Sequence, residues 1–102
     1  MIQRAAMDYL AWYSIKHKIY FFRSAAGHVV LESGRYFKTG KPGTPDITVC
    51  EGGRFIGIEC KTAKGKQSAL QKQAEAEIEA SGGKYFLVRS LEDIKRIFPM
   101  DK

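Results

Sequence analysis

The glycine pair Gly52-Gly53, set between two stretches of alternating apolar residues, constrains this chain more than any other feature. Two consecutive glycines accept the positive φ angles of a two-residue hairpin turn. Asp46-Ile47-Thr48-Val49-Cys50 and Arg54 to Thr62 are therefore predicted as antiparallel strands. Counting outward from the turn pairs Glu51 with Arg54, Cys50 with Phe55, Val49 with Ile56, Thr48 with Gly57, and Ile47 with Ile58. The next pair is Asp46 with Glu59.

Side chains alternate between the faces of a strand, so Ile47, Val49, Ile56, Ile58 and Cys60 form an apolar face suited to pack under a helix. Asp46, Cys50, Phe55, Gly57, Glu59 and Lys61 share the opposite face. Directly opposed residues on one face have Cβ atoms roughly 4.5–5.5 Å apart, which sets two carboxylates side by side with Lys61 next along. Such a pair repels itself, and a divalent cation bound by hard oxygen ligands removes the repulsion. Mg²⁺ is the expected ion, with Mn²⁺ able to substitute. The plainer alternative is a pair of solvated carboxylates with a neutralising lysine. Pro45 ahead of Asp46 and the matched register weigh against it.

The rest of the chain supplies one core around this hairpin. Ile2, Ala6, Tyr9 or Leu10, and Tyr13 recur at helical spacing, predicting an amphipathic helix from Ile2 to about Lys16. Ile19 to Phe22 reads as a strand. His28 to Leu31 and Arg35 to Phe37 are weaker strands, broken by Gly27 and Gly34. Lys41-Pro42-Gly43-Thr44-Pro45 is a loop. Ser68-Ala69-Leu70-Gln71 reads as a capping box opening a helix to about Ala80, with Gly82-Gly83 as its left-handed stop. Lys84 to Val88 is a further strand. Ser90 caps a last helix through Phe98, with Asp93 in its first turn and Pro99 ending it.

At 102 residues, with no repeat or low-complexity segment, the chain is expected to be a single domain spanning 1–102. No stretch approaches the roughly 20 apolar residues of a membrane span, and the start lacks the pattern of a secretory signal. A cytoplasmic protein is expected. Cys50 and Cys60 are too few for a disulfide framework or a four-ligand zinc site and are expected as reduced, small core residues. The hairpin register puts them on opposite faces, which disfavours a disulfide between them. The formal charge of +6 favours a polyanionic partner, since Lys and Arg that neutralise phosphates release condensed counterions.

Pro45-Asp46, followed after a glycine turn by Glu59-Cys60-Lys61, matches the PD-(D/E)xK pattern of restriction-endonuclease-like nucleases. The longer series Gly43-Thr44-Pro45-Asp46-Ile47, Ile58-Glu59-Cys60-Lys61, Lys64-Gly65-Lys66, Ser68-Ala69-Leu70-Gln71 and Gly82-Gly83 resembles the virus-type replication-repair nuclease (VRR-NUC) family over most of the chain. The resemblance implies an α/β, or α+β sandwich, fold: an αβββαβ core whose mixed central sheet is flanked by helices. It also implies Asp46 and Glu59 as metal ligands, the Cys60 backbone carbonyl as a further ligand, Lys61 beside the attacking water, and Gln71 completing the catalytic motif. The plainer alternative for Gln71 is that it only closes the capping box, though it lies on the helix flank with Ala74 and Ile78. Relatives usually carry an acid shortly before a pair like Ile2-Gln3. Here only Met1 precedes it, and Asp8 is the one acid in that helix that could stand in.

The activity implied is metal-dependent endonucleolytic hydrolysis of DNA phosphodiester bonds, leaving a 5′-phosphate and a 3′-hydroxyl, in a phage or bacterial setting. Lys38, Lys41, Lys64 and Lys66, with Arg35 and Arg23 further upstream, are the phosphate-contacting candidates. Lys64 and Lys66 read equally well as solvated loop charges. Without a recognition helix or zinc-finger spacing, specificity should come from DNA shape, as in branched DNA. Small stand-alone members of the family resemble Holliday-junction resolvases, and symmetric cutting of a junction needs a homodimer. Part of the aromatic set Tyr9, Trp12, Tyr13, Tyr20, Phe21 and Phe22 could form its interface, and the rings could equally be core. No organic cofactor is expected. Two other readings stay open: a DNA-binding module that keeps the nuclease fold without activity, and a small basic interaction protein with an incidental acidic pair.

Overall fold

The computed structural model describes residues 2–25, 27–30 and 32–101, with the backbone alone at 27–30 and 36–39. Its elements are α1 (Ile2–Tyr13), β1 (Ile19–Arg23), β2 (Gly27–Val30), β3 (Tyr36–Thr39), β4 (Ile47–Glu51), β5 (Arg54–Cys60), α2 (Ala69–Ala80), β6 (Lys84–Val88) and α3 (Leu91–Ile97). Together they make an α+β domain. Four strands form a mixed sheet in the order β1-β4-β5-β6, and β2 and β3 pair separately as a two-stranded sheet.

The β4–β5 hairpin has the register counted from its glycines, from Glu51 opposite Arg54 to Ile47 opposite Ile58. Gly52 and Gly53 have φ of 61° and 79°, the double positive-φ conformation that fits a two-residue turn to the strands' twist. β1 lies antiparallel to β4 along the outer edge. β6 lies parallel to β5, bringing Leu87 opposite Glu59 and Val88 opposite Cys60.

The core fills the space between one sheet face and helices α1 and α3. Ile47, Val49, Ile56, Ile58 and Val88 meet Ala6, Tyr9, Leu10, Tyr13, Ile94 and Phe98 there. The Tyr9 hydroxyl, buried with its ring, donates to the Phe98 carbonyl at 2.6 Å, tying the two helices together without leaving a polar group unsatisfied. The other face is covered in part by α2. Ala74 is buried there and Ile78 comes close to Gly57, where a Cβ would stand 3.5 Å from the Ile78 Cδ1.

Several boundaries differ from the sequence expectation for physical reasons. α1 stops at Tyr13 rather than near Lys16, because its last turn tightens: the Ile15 and Lys16 amides bond the Trp12 and Tyr13 carbonyls three residues back, each at 3.2 Å. β5 ends at Cys60 rather than Thr62. The Lys61 amide still reaches the Val88 carbonyl at 2.9 Å, after which the chain turns away. The two weak strands form as β2 and β3, the second running Tyr36–Thr39, while Leu31 lies outside the described residues. Cys60 packs against the core as expected, but Cys50 is exposed, because α2 leaves the β1–β4 half of its face uncovered. Both cysteines are free. Among the described residues, no helix is long and apolar enough to cross a membrane.

Candidate active site

Asp46 sits immediately before β4, and its backbone is held from two sides. The Ser24 amide donates to the Asp46 carbonyl at 2.8 Å, and the Ser24 hydroxyl donates to the Pro45 carbonyl at 2.8 Å. Thr48 in turn donates its hydroxyl to the Ser24 oxygen at 2.8 Å. Pro45 is fully buried over Gly57, where a Cβ would stand 2.7 Å from the proline Cγ. Glycine opposite the Pro-Asp step is therefore what lets the step lie flat on β5.

Across the hairpin, the Cys60 amide donates to the Asp46 Oδ2 at 2.8 Å, orienting that carboxylate toward the end of β5. Glu59 beside it is only 3 % exposed. Its Oε2 accepts from the Gln71 side-chain amide at 2.8 Å and lies 3.7 Å from the Lys61 ammonium. Its Oε1 is buried without a hydrogen-bond partner. Burial, reinforced by the charge and close approach of Asp46 and only partly offset by Lys61, pushes the Glu59 carboxyl up to about 7. Burial, reinforced by the charges of Asp46 and Glu59, pushes the Cys60 thiol up to about 12, away from the reactive thiolate form.

This donor set fits a hard divalent cation. Two carboxylates meet at one place, each with an oxygen fixed by an N–H donor, and the buried Glu59 Oε1 has room in its bonding for a cation. Among the described residues there is no cluster of three or more His, Cys, Asp or Glu that could hold a metal, so any further ligands would be backbone oxygen or water. Asp8 is exposed on α1 and is absent from the lining of the pocket beside Asp46.

That pocket, about 350 Å³, is lined by Ile2, Gln3, Asp46, Cys60, Lys61, Thr62 and Arg89. Lys61 thus faces both the carboxylates and open space. Gln71 does both jobs that its position allows: its Oε1 accepts from the Ser68 amide at 2.8 Å, closing the capping box, while its Nε2 serves Glu59. The capping contact and the contact to Glu59 coexist in the fold.

The basic candidates separate. Lys64 and Lys66 are exposed on the turn that follows Lys61. Lys41 is engaged with Glu77 on α2 at 2.8 Å and lines a mainly apolar groove with Phe22, Thr48, Phe55 and Ile78, away from the carboxylate pocket. Arg35 is exposed in the β2–β3 turn, and the side chain of Lys38 lies outside the described residues. Arg23 is exposed and approaches the Gln3 side chain at 3.5 Å. The aromatic set also divides. Tyr9 and Tyr13 are core and Phe21 packs partly against it, whereas Trp12, Tyr20 and Phe22 are exposed.

Three residues near the site are not among the site residues predicted from the sequence. Tyr85 on β6 is buried on the carboxylate side of the sheet and accepts from Gln67, which also holds Glu75 at 2.9 Å. Its hydroxyl is pushed up to about 12, chiefly by burial, with the acidic groups around it adding to the Gln67-opposed shift. Gln3 lines the pocket from the first turn of α1. Arg89 follows β6, and its Nη1 donates to the carbonyls of Thr62, Gly65 and Ala63 at 2.5, 2.8 and 3.3 Å. Tyr85, Leu87 and Arg89 share one parity along the chain, but the parallel pairing that brings them beside Glu59 has no local sequence signal.

No protein-family model, curated protein or solved structure matches the chain.

Proposed function

We propose that this protein is a metal-dependent DNA endonuclease of the VRR-NUC type, hydrolysing phosphodiester bonds at the Asp46–Glu59–Lys61 centre. The observation that carries the reading is the meeting of Asp46 and the buried, half-satisfied Glu59 with Lys61 and Gln71 around one point. A buried carboxylate beside a second, partly buried one is costly without a cation, and few structural roles ask for the arrangement. The element order supports the reading too. Without the β2–β3 hairpin and the final helix α3 it runs helix, three strands, helix, strand, the αβββαβ order of the restriction-endonuclease-like core.

Asp46 and Glu59, with the Cys60 carbonyl, would hold Mg²⁺ or Mn²⁺, which supplies an acidified water and neutralises charge on the phosphate. The Cys60 amide and Gln71 fix one oxygen of each carboxylate, so the other oxygens are already oriented. Lys61, 20 % exposed and in reach of Glu59, orients the attacking water or neutralises the developing negative charge. The products expected are a 5′-phosphate and a 3′-hydroxyl.

The preferred substrate in this reading is branched DNA, cut by a homodimer that brings two centres to one junction. Exposed Trp12, Tyr20 and Phe22 are available to such an interface. The test is cleavage of labelled four-way junction, flap and linear duplex DNA with Mg²⁺, Mn²⁺ or EDTA, comparing wild type with Asp46→Ala and Lys61→Ala. Metal-dependent cutting lost in both variants supports the nuclease; cutting that persists in EDTA or in Asp46→Ala rejects it.

One observation favours a second reading, a DNA-binding module without activity: Asp8, the acid available to stand in on α1, lies away from the pocket. Binding of the same DNAs without cutting under any metal would establish that reading.

A further inference from the structure

We infer that Arg89 is a phosphate-binding residue of this site and at the same time the residue that positions the basic turn carrying Lys64 and Lys66. The inference rests on the nuclease reading for the identity of its ligand, a nucleic-acid phosphodiester. Its geometry stands independently.

The guanidinium stands at a junction of two features. Through Nη1 it gathers the carbonyls of Thr62, Ala63 and Gly65, the segment that leaves β5 after Lys61. The Gly65 amide closes the same turn on the Thr62 carbonyl at 3.1 Å, and a Cβ at Gly65 would come within 3.1 Å of the Thr62 hydroxyl. This curled segment presents Lys64 and Lys66 to solvent. Apart from the Gly65 amide on the Thr62 carbonyl, the guanidinium is the donor that these three carbonyls share among the described residues.

Arg89 is itself held in place. Its backbone amide donates to Asp93 Oδ2 at 2.8 Å, in the first turn of α3, so the residue is fixed between β6 and that helix. Among the described residues, no hydrogen bond occupies its Nε or Nη2. These donors remain on a side chain that lines the same pocket as Asp46 and Lys61. A guanidinium with one nitrogen spent on the loop and its other edge free offers a planar two-donor fork, the geometry that suits two phosphate oxygens. A lysine supplies the charge but neither the fork nor the three-carbonyl clamp.

The consequence is coupling. Removing Arg89 should lose its own phosphate contact and also loosen the turn that presents Lys64 and Lys66. Binding of labelled four-way junction and duplex DNA, measured in EDTA across a salt series, reads this directly. Each phosphate contact contributes roughly 0.9 to the slope of log K against log salt. In the wild-type background, Arg89→Ala should flatten the slope by more than one contact. In a Lys64→Ala/Lys66→Ala background the same change should flatten it by about one contact only. Arg89→Lys keeps the charge but lacks the fork and the clamp. It should lose only the turn's share of the slope in the wild-type background, keep the slope in the Lys64→Ala/Lys66→Ala background, and bind more weakly in both. Thermal melts establish that each variant is folded. Should Arg89→Ala unfold, Arg89→Gln in the two backgrounds carries the same test.

Equal flattening in both backgrounds overturns the positioning role, and an unchanged slope overturns the phosphate contact. Full restoration by lysine overturns the fork. Wild-type protein that binds no DNA at low salt overturns the nucleic-acid reading itself, whereas normal wild-type binding with an unaffected Arg89→Ala overturns this inference alone.

Discussion

Gln71 and Glu59 are joined by a 2.8 Å hydrogen bond from the Gln71 Nε2 to the Glu59 Oε2, while the Gln71 Oε1 caps its own helix at the Ser68 amide. One side chain therefore fixes both the start of α2 and the orientation of a buried carboxylate on β5. The helix start and the site are mechanically the same object.

The two roles of Gln71 can be separated by substitution. Ser68→Ala removes the acceptor for the Gln71 amide, currently 3.1 Å away, and should cost about 1 kcal/mol of stability with cleavage largely kept. Gln71→Glu keeps an oxygen for the Ser68 amide but replaces the donor to Glu59 with a third carboxylate. Cleavage should drop at least tenfold, with the helix retained by circular dichroism. Equal activity losses in the two variants would mean that Gln71 acts only through the cap.

Glu59 should make metal-free protein pH-sensitive. Its carboxyl moves from 4.5 to about 7 on folding, so the folded state holds the proton more tightly than the unfolded state. The associated stability is present in full below pH 4.5 and is lost as pH rises through about 7, up to roughly 3 kcal/mol at one unit of pKa per 1.36 kcal/mol. Thermal melts in EDTA from pH 5 to pH 8 should show the wild type losing stability relative to Glu59→Gln. A difference between the two that is flat with pH would remove the buried-acid account.

Saturating Mg²⁺ or Mn²⁺ should act on the same carboxylates in the opposite direction. Binding to the folded state alone stabilises it by mass action, about 2.7 kcal/mol at a hundredfold excess over the dissociation constant. The melting temperature should rise with either ion near pH 8, and neither Asp46→Asn nor Glu59→Gln should respond. Equal shifts in all three proteins would place the ion elsewhere.

The hairpin and its carboxylate pair were legible because every step was local. Gly52-Gly53 fixed the turn, the period of two fixed the faces, and the pairing from Glu51–Arg54 to Ile47–Ile58 followed by counting. The Ser68 cap and the Gly82 stop were equally local, each being a backbone requirement written in a residue type. What stayed hidden depends on packing between distant segments. Arg89 reaches back 24 to 27 residues to the turn after Lys61, and nothing around Val88-Arg89-Ser90 announces it. Cys50 was misplaced as core because its exposure depends on how much of the sheet α2 covers. Lys41 looked free because its partner Glu77 lies on a helix 36 residues away.

The cysteines should differ sharply in reactivity. Cys50 is exposed, whereas Cys60 is partly buried with its thiol pushed up to about 12. Limited alkylation of native protein at pH 8 should modify one thiol, and Cys50→Ser should abolish it. Rapid modification of Cys60 in folded protein would show that the end of β5 is more open than it stands here.

Gly57 offers the most direct probe of how the fold places Asp46. It lies on the carboxylate face between Thr48 and Tyr85, and an added Cβ would stand 2.7 Å from the Pro45 Cγ, well inside contact distance. Pro45 is fully buried and its carbonyl is held by Ser24, so the ring cannot rotate away. Gly57→Ala must therefore lift the Pro45-Asp46 step off β5, stretching the 2.8 Å bond from the Cys60 amide to Asp46. Overpacking of this kind costs about 1–3 kcal/mol. Because the displaced atoms carry a proposed ligand, the metal-induced rise in melting temperature should shrink as well. A Gly57→Ala protein that loses stability but keeps the full metal response would show that Asp46 is positioned by its bonds to Ser24 and Cys60 rather than by the proline resting on glycine.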